Sequence, residues 1–287
     1  LTAVLAQQIS RLERHGRVLL EIVAVAGRPI PRAMALQAVD LLPGVGHATI
    51  EDMCASHLLR TRGTHGDEVE TYHDRIREAT LARLAGADLH ARHLSLAQAI
   101  ESSGGAEPHH LARHYQLGGR PVEAAHYSVI AGDIAASALA FDRAARFYRA
   151  ALQLRPPTGV ELGKLLVKLG DVLRHAGRSA EAARAYLRAC EEAPSVEAFE
   201  LRRRAAENFL ASGYLEEGIA RLREVLSEVG MVLPSTQLAA VGGLLAHRLR
   251  LRIRGRRFTE RSVDAIDPVA LRRLDVCWSA ALGLAMI

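Results

Sequence analysis

The sequence predicts a mainly α-helical chain in two parts. Residues 1–88 form a small domain of three helices and a short β-hairpin, and residues 89–287 form an α-solenoid of stacked helical hairpins. Three observations carry this reading. Apolar residues make up 49% of the chain but aromatics only 4%, and this Ala-, Leu- and Arg-rich composition suits close-packed helices better than stacked sheets. A pattern of small and large residues recurs along the second part. Between Leu58 and Tyr72, alternating residues flank a glycine-containing turn, as in a hairpin.

Length and composition bound the rest. At 287 residues the chain has room for two domains. Cys54, Cys190 and Cys277 are odd in number and far apart, which argues against a disulfide framework and places the chain in a reducing cytoplasm. No apolar run reaches the roughly 18–20 residues of a membrane span. The stretch Leu238–Ala246 is too short and contains Gly242 and Gly243. Leu1 is not an initiator Met, no signal-peptide pattern follows it, and Ala280–Ile287 stops inside an apolar helical pattern, so a piece of a larger protein is expected. The net charge of +5 is modest and owes much to one arginine-rich stretch.

In the first part, Leu12, Val18, Leu19, Ile22 and Val23 mark one face of a helix over 10–26 that Gly27 ends. Pro29 and Pro31 then open a second helix over Arg32–Val39. After a loop over Leu42–His47, Thr49 caps a third helix through Leu59, with Glu51 and Asp52 in its first turn. The hairpin Leu58–Arg62 and Glu68–Tyr72 follows. Three helices and a hairpin is the winged-helix order. In a DNA reader of that type the third helix carries base-reading Arg, Lys, Asn or Gln into the major groove. Here that helix holds two carboxylates and no Arg or Lys, so phosphate contact is repelled and nucleic acid is not the expected partner. A DNA-binding transcriptional regulator remains the alternative function.

The hairpin runs into Tyr72-His73-Asp74 and an amphipathic helix. This passage resembles the winged-helix domain of STAND-type signalling ATPases, whose motif reads Met-His-Asp; Tyr72 stands in place of Met. The resemblance implies that His73 reaches the β-phosphate of ADP held by an upstream nucleotide domain, and that Asp74 buttresses the turn.

The second part rests on the repeat in residues 163–196. Leu166, Leu169, Gly170, Leu173, Gly177, Ala182, Tyr186, Ala189 and Pro194 fall where a tetratricopeptide repeat requires them. Small Gly170 and Ala182 let two antiparallel helices approach, the leucines fill the space between them, Gly177 turns the chain and Pro194 stops the second helix. The pattern recurs upstream at Ala131, Gly132, Ala135, Ala144, Tyr148, Ala151 and Pro156, and downstream more weakly at Phe209, Gly213, Leu222 and Val225. Leu111–Leu117 and Pro121–Ile130 make a further pair.

Beyond Gln237 the helices continue, with a break at Gly255 and a new start at Asp267-Pro268. The arginines Arg250, Arg252, Arg254, Arg256 and Arg257 form the densest charge run, a solvated face or a patch for an acidic partner. This tail resembles the helical region of large bacterial serine/threonine kinases that carry an ATPase module and repeats. That resemblance implies a regulatory, protein-binding segment whose repeat groove takes a protein or peptide and whose ATP or ADP lies upstream.

No catalytic machinery accompanies it. The chain has no GxxxxGK[ST] loop, no kinase signature and no GxSxG elbow, so catalytic residues and a cofactor of its own are not expected. His110 and His114 are four apart on a helix near His109 and His126, but without an HExxH frame or a nearby Cys no metal is expected.

Overall fold

The computed structural model describes residues 2–104, 107–255, 262 and 266–285. It is mainly helical with one small sheet, and it divides into two compact units, Leu1–Pro156 and Pro157–Ile287. The first unit runs past residue 88 and takes in the helix over Gly86–Ser102, which packs on the helices over Arg14–Ala26 and Arg32–Val39.

In the first unit, α1 (Thr2–Ser10) precedes α2 (Arg14–Ala26), so the single helix expected over 10–26 begins at Arg14. Helix α2 is the centre of the core: Leu19, Leu20, Ile22 and Ala24 are fully enclosed, a helix apolar almost all round. Gly27 ends it at a φ of 66°, the left-handed conformation that glycine adopts without a Cβ penalty. Ile30–Pro31 then forms a strand, β1, missed in the sequence because Pro29 and Pro31 read as a helix start. Helix α3 (Arg32–Val39) follows as expected.

Helix α4 spans Pro43–Ala55, so the expected loop is its first turn. Pro43 takes N1, where its missing N–H costs nothing, and Thr49 sits mid-helix with its hydroxyl donating to the Val45 carbonyl at 2.9 Å. Strands β2 (Leu59–Arg62) and β3 (Glu68–Thr71) form the hairpin, and β3 lies between β1 and β2 in an antiparallel sheet. Val69 faces Ile30 on one side and Thr61 on the other. Pro31 is tolerated because β1 is an edge. Helices α5 (Asp74–Leu81) and α6 (Gly86–Ser102) close the module, and Ile76, Leu96 and Ile100 join its core.

Three helices complete the first unit: α7 (Pro108–Leu117), α8 (Pro121–Ser137) and α9 (Phe141–Leu154). The Tyr115 and Tyr127 hydroxyls both donate to the Glu101 carboxylate, tying α7 and α8 to the end of α6. In the second unit, α10 (Gly159–His175) pairs with α11 (Ser179–Cys190), and α12 (Ser195–Ala211) with α13 (Leu215–Glu228). Helix α14 (Gln237–Arg254) buries none of its residues, whereas α15 (Pro268–Ala285) packs on α12 and α13 through Val276.

One arrangement repeats at α8–α9 and α10–α11. A Cβ on Gly132 would lie 2.5 Å from the Tyr148 ring, and one on Gly170 would lie 2.5 Å from the Tyr186 ring. In each hairpin the tyrosine hydroxyl donates to the carboxylate after that glycine, at 2.7 Å: Tyr148 to Asp133 and Tyr186 to Asp171. Ala144, Ala182 and Ala189 are enclosed beside them, and Leu166, Leu169 and Leu173 are buried. At the turns, Gly177 has φ 75°, but its equivalent in the earlier hairpin is Leu139, at φ 58° and 73% exposed. Pro194 does not stop α11, which ends at Cys190; it precedes α12 as its N-cap.

The third copy places Ala206 and Leu222 where the others have glycine and tyrosine, and both are buried in one cluster. Gly170→Ala in the wild type gains roughly 1 kcal/mol of helix propensity but costs about 1–3 kcal/mol in overpacking against Tyr186. We expect a net loss of about 1 kcal/mol in urea denaturation, turning into a gain in the Tyr186→Leu background. An equal effect in both backgrounds would refute the size-matching account.

Candidate functional site

The end of β3 and the start of α5 bring His73 to a polar cleft of about 290 Å³ in the first unit. Val23, Gly27, Arg28, Arg60, Glu70, Thr71, Tyr72, His73, Asp74 and Arg77 line it. The strand's extended backbone persists through His73 (φ −149°, ψ 148°), which makes His73 itself the N-cap of α5. Its Nδ1 accepts the Arg75 backbone N–H at 3.2 Å. A neutral imidazole with an accepting Nδ1 carries its proton on Nε2, so the ring presents one outward N–H donor. Asp74 does not cap the helix; it is exposed in the first turn, where its charge complements the helix dipole.

The cations around His73 differ in how far they are committed. Arg77 Nε donates to the Ala24 carbonyl at 3.0 Å, and its guanidinium lies against Gly27. Arg60 and Arg62 both pair with Glu70, at 2.7 and 2.5 Å. Burial pushes the Glu70 carboxyl up, but hydrogen bonds from Arg62 and Arg60 outweigh it and hold the carboxyl below its usual range. Arg28, half-buried, has no hydrogen-bond or ion-pair partner among the described residues. Three guanidiniums face two carboxylates here, an excess of positive charge suited to an anion with several oxygens. Sequence reasoning singled out His73 and Asp74 but missed Arg77 one turn further along α5, and Arg28 and Arg60, which come from other elements.

The other candidate residues lie apart. The repeat positions Gly132, Ala144 and Tyr148, and Leu166 through Ala189, are structural, each buried between paired helices except for the turn at Gly177. Arg250, Arg252 and Arg254 are exposed on α14, where Arg250 and Arg254 share one face and Arg252 points to the opposite side. Arg256 and Arg257 lie outside the described residues. His110 and His114 do not share a site. His114 is buried against His93, Nδ1 to Nδ1 at 2.9 Å, whereas His110 gathers with His109 and Glu107 at the start of α7. The cysteines are unpaired thiols, and among the described residues no helix is long and apolar enough to cross a membrane.

No protein-family model matches this sequence, and no curated protein matches it. Among solved structures, the chain is similar to a signal transduction ATPase with numerous domains (STAND) protein with a tetratricopeptide repeat sensor from Pyrococcus horikoshii. The identity is 14% and the TM-score 0.48, with 96% of this chain covered. The chain spans 40% of the length of that protein.

The His93–His114 pair fixes a pH dependence. Two imidazoles in a 2.9 Å hydrogen bond need one protonated and one bare nitrogen, so the two rings cannot both carry charge, and burial disfavours charge on either. Burial, with nearby Arg113, lowers His93 to about 4; burial and the facing His93 lower His114 to about 3. Between the unperturbed 6.5 and those values the unfolded chain takes up protons that the folded chain refuses, so stability falls as pH falls. Urea midpoints measured from pH 7 to pH 4.5 should drop, and the drop should shrink in a His93→Leu/His114→Leu variant. An unchanged slope in that variant would remove the pair from the account.

Proposed function

We propose that the chain is a non-catalytic regulatory segment of a bacterial signal-transduction protein. In this reading the module of three helices and a three-stranded sheet is a winged helix. It closes over the phosphates of ADP held by an upstream STAND-type ATPase domain, in a parent that also carries a serine/threonine kinase. The helical hairpins take a protein or peptide partner and bias the closed state against the open one, which is a coupling between two sites. ADP belongs to the ATPase domain; this chain contributes contacts and a switch, in the cytoplasm.

The observation that carries the reading is the His73 cleft. The helix cap holds the imidazole in the tautomer whose Nε2–H can donate to a phosphate oxygen, with Arg28, Arg60 and Arg77 beside it. Within a helical repeat unit, an exposed apolar hollow of about 250 Å³ among Ala131, Ile134, Ala135 and Phe147 has room for a partner's side chain. DNA reading gains no support: α4 contains Glu51 and Asp52, and no Arg or Lys.

His73→Ala in the full-length protein should weaken ADP retention about tenfold, the share of one charge-assisted hydrogen bond, and raise basal output. Arg28→Ala should act in the same direction, with thermal unfolding little changed. ADP occupancy equal to wild type in both variants would overturn the reading.

A further inference from the structure

At the start of α7, Glu107, His109 and His110 each offer one metal-ligand atom, and these atoms all lie within 4.8 Å of one another. His109 Nδ1 is 3.1 Å from Glu107 Oε2, and the two imidazole rings lie side by side with centroids 4.1 Å apart. Two imidazole nitrogens with one carboxylate oxygen form a borderline donor set. It suits Zn²⁺ and its late transition-metal neighbours, and disfavours Mg²⁺ and Ca²⁺, which require mostly oxygen. We propose that Glu107, His109 and His110 hold a Zn²⁺ ion with a fourth coordination position open.

Several features support this assignment. Tetrahedral zinc with bonds near roughly 2.1 Å asks the donor atoms to draw in to about 3.4 Å from one another. The Glu107 side chain, 72% exposed, has room to make that movement.

Hollows on two sides of the cluster leave space for a fourth ligand. Glu107 and His109 line the apolar hollow of about 250 Å³ with Ile134, Arg143 and Phe147. Glu107 and His110 line a second one of about 540 Å³ with Arg28, Met34 and Gln37. The open position takes water or an anionic donor such as a carboxylate. Arg143 and Arg28, which line these two hollows, favour that anion. His73 lines a different cleft, which shares only Arg28 with these hollows.

Zinc chloride titrated into the whole chain against a chromogenic chelator should show one equivalent bound. His109→Ala, His110→Ala and Glu107→Gln should each weaken binding at least tenfold, while His126→Ala, at an exposed histidine outside the cluster, leaves it unchanged. Cobalt substitution should give the intense visible absorption of a four-coordinate ion, lost in His109→Ala. Glu107→Gln changes an exposed side chain and keeps the fold, so its result stands even where a histidine variant unfolds. Failure to bind one equivalent, or binding that survives all three substitutions, would overturn the proposal.

Discussion

Two antiparallel helices can come close only where one of them has no side chain in the way. Gly132 and Gly170 supply that gap in this protein, and Tyr148 and Tyr186 fill it. Each ring then reaches across so that its hydroxyl meets the carboxylate of Asp133 or Asp171, giving a large apolar surface and a polar tip a partner in one contact. Burial of an unpaired hydroxyl would offset much of what the ring contributes, so the aspartate is as necessary as the glycine. Burial and hydrogen bonding to Asp171 hold the Tyr186 phenol protonated, keeping it a donor throughout the physiological range. The third hairpin reaches the same end with a smaller pair, Ala206 and Leu222, in which neither the gap nor the polar partner is required.

This division between contact types explains what was legible in the sequence. The glycine, alanine and tyrosine positions of the repeats read directly, because their spacing follows the helical period and each residue type has a steric reason to be there. Asp133 and Asp171 did not stand out, since a carboxylate on a helix ordinarily reads as a solvated one. Leu139 was hidden for the opposite reason: the chain places an ordinary residue in a left-handed turn that its counterpart Gly177 adopts without cost. In the opening module the helices and hairpin read well. The third helix began early because Pro43 starts it, and Pro31 concealed the edge strand β1.

The candidate site was legible only along the chain. Tyr72-His73-Asp74 is contiguous, so its likeness to a known motif could be read, although nothing in it showed that His73 caps α5. Arg28, Arg60 and Arg77 reach the same cleft from the end of α2, from β2 and from α5, and no local pattern announces their convergence. The histidines show the same limit. Spacing paired His110 with His114, but the fold turns His114 inward to His93 and leaves His110 with His109 and Glu107.

If the glycine–tyrosine contacts hold the hairpins together, stability should follow them along the chain. Hydrogen exchange of the backbone amides measures this most directly. In each unit, amides flanking Gly132 and Tyr148, and those flanking Gly170 and Tyr186, should exchange only through global opening. Those of α14, which buries no residue, should exchange as a separate, weakly held helix. Protection in α14 equal to that in α10 and α11 would contradict the account.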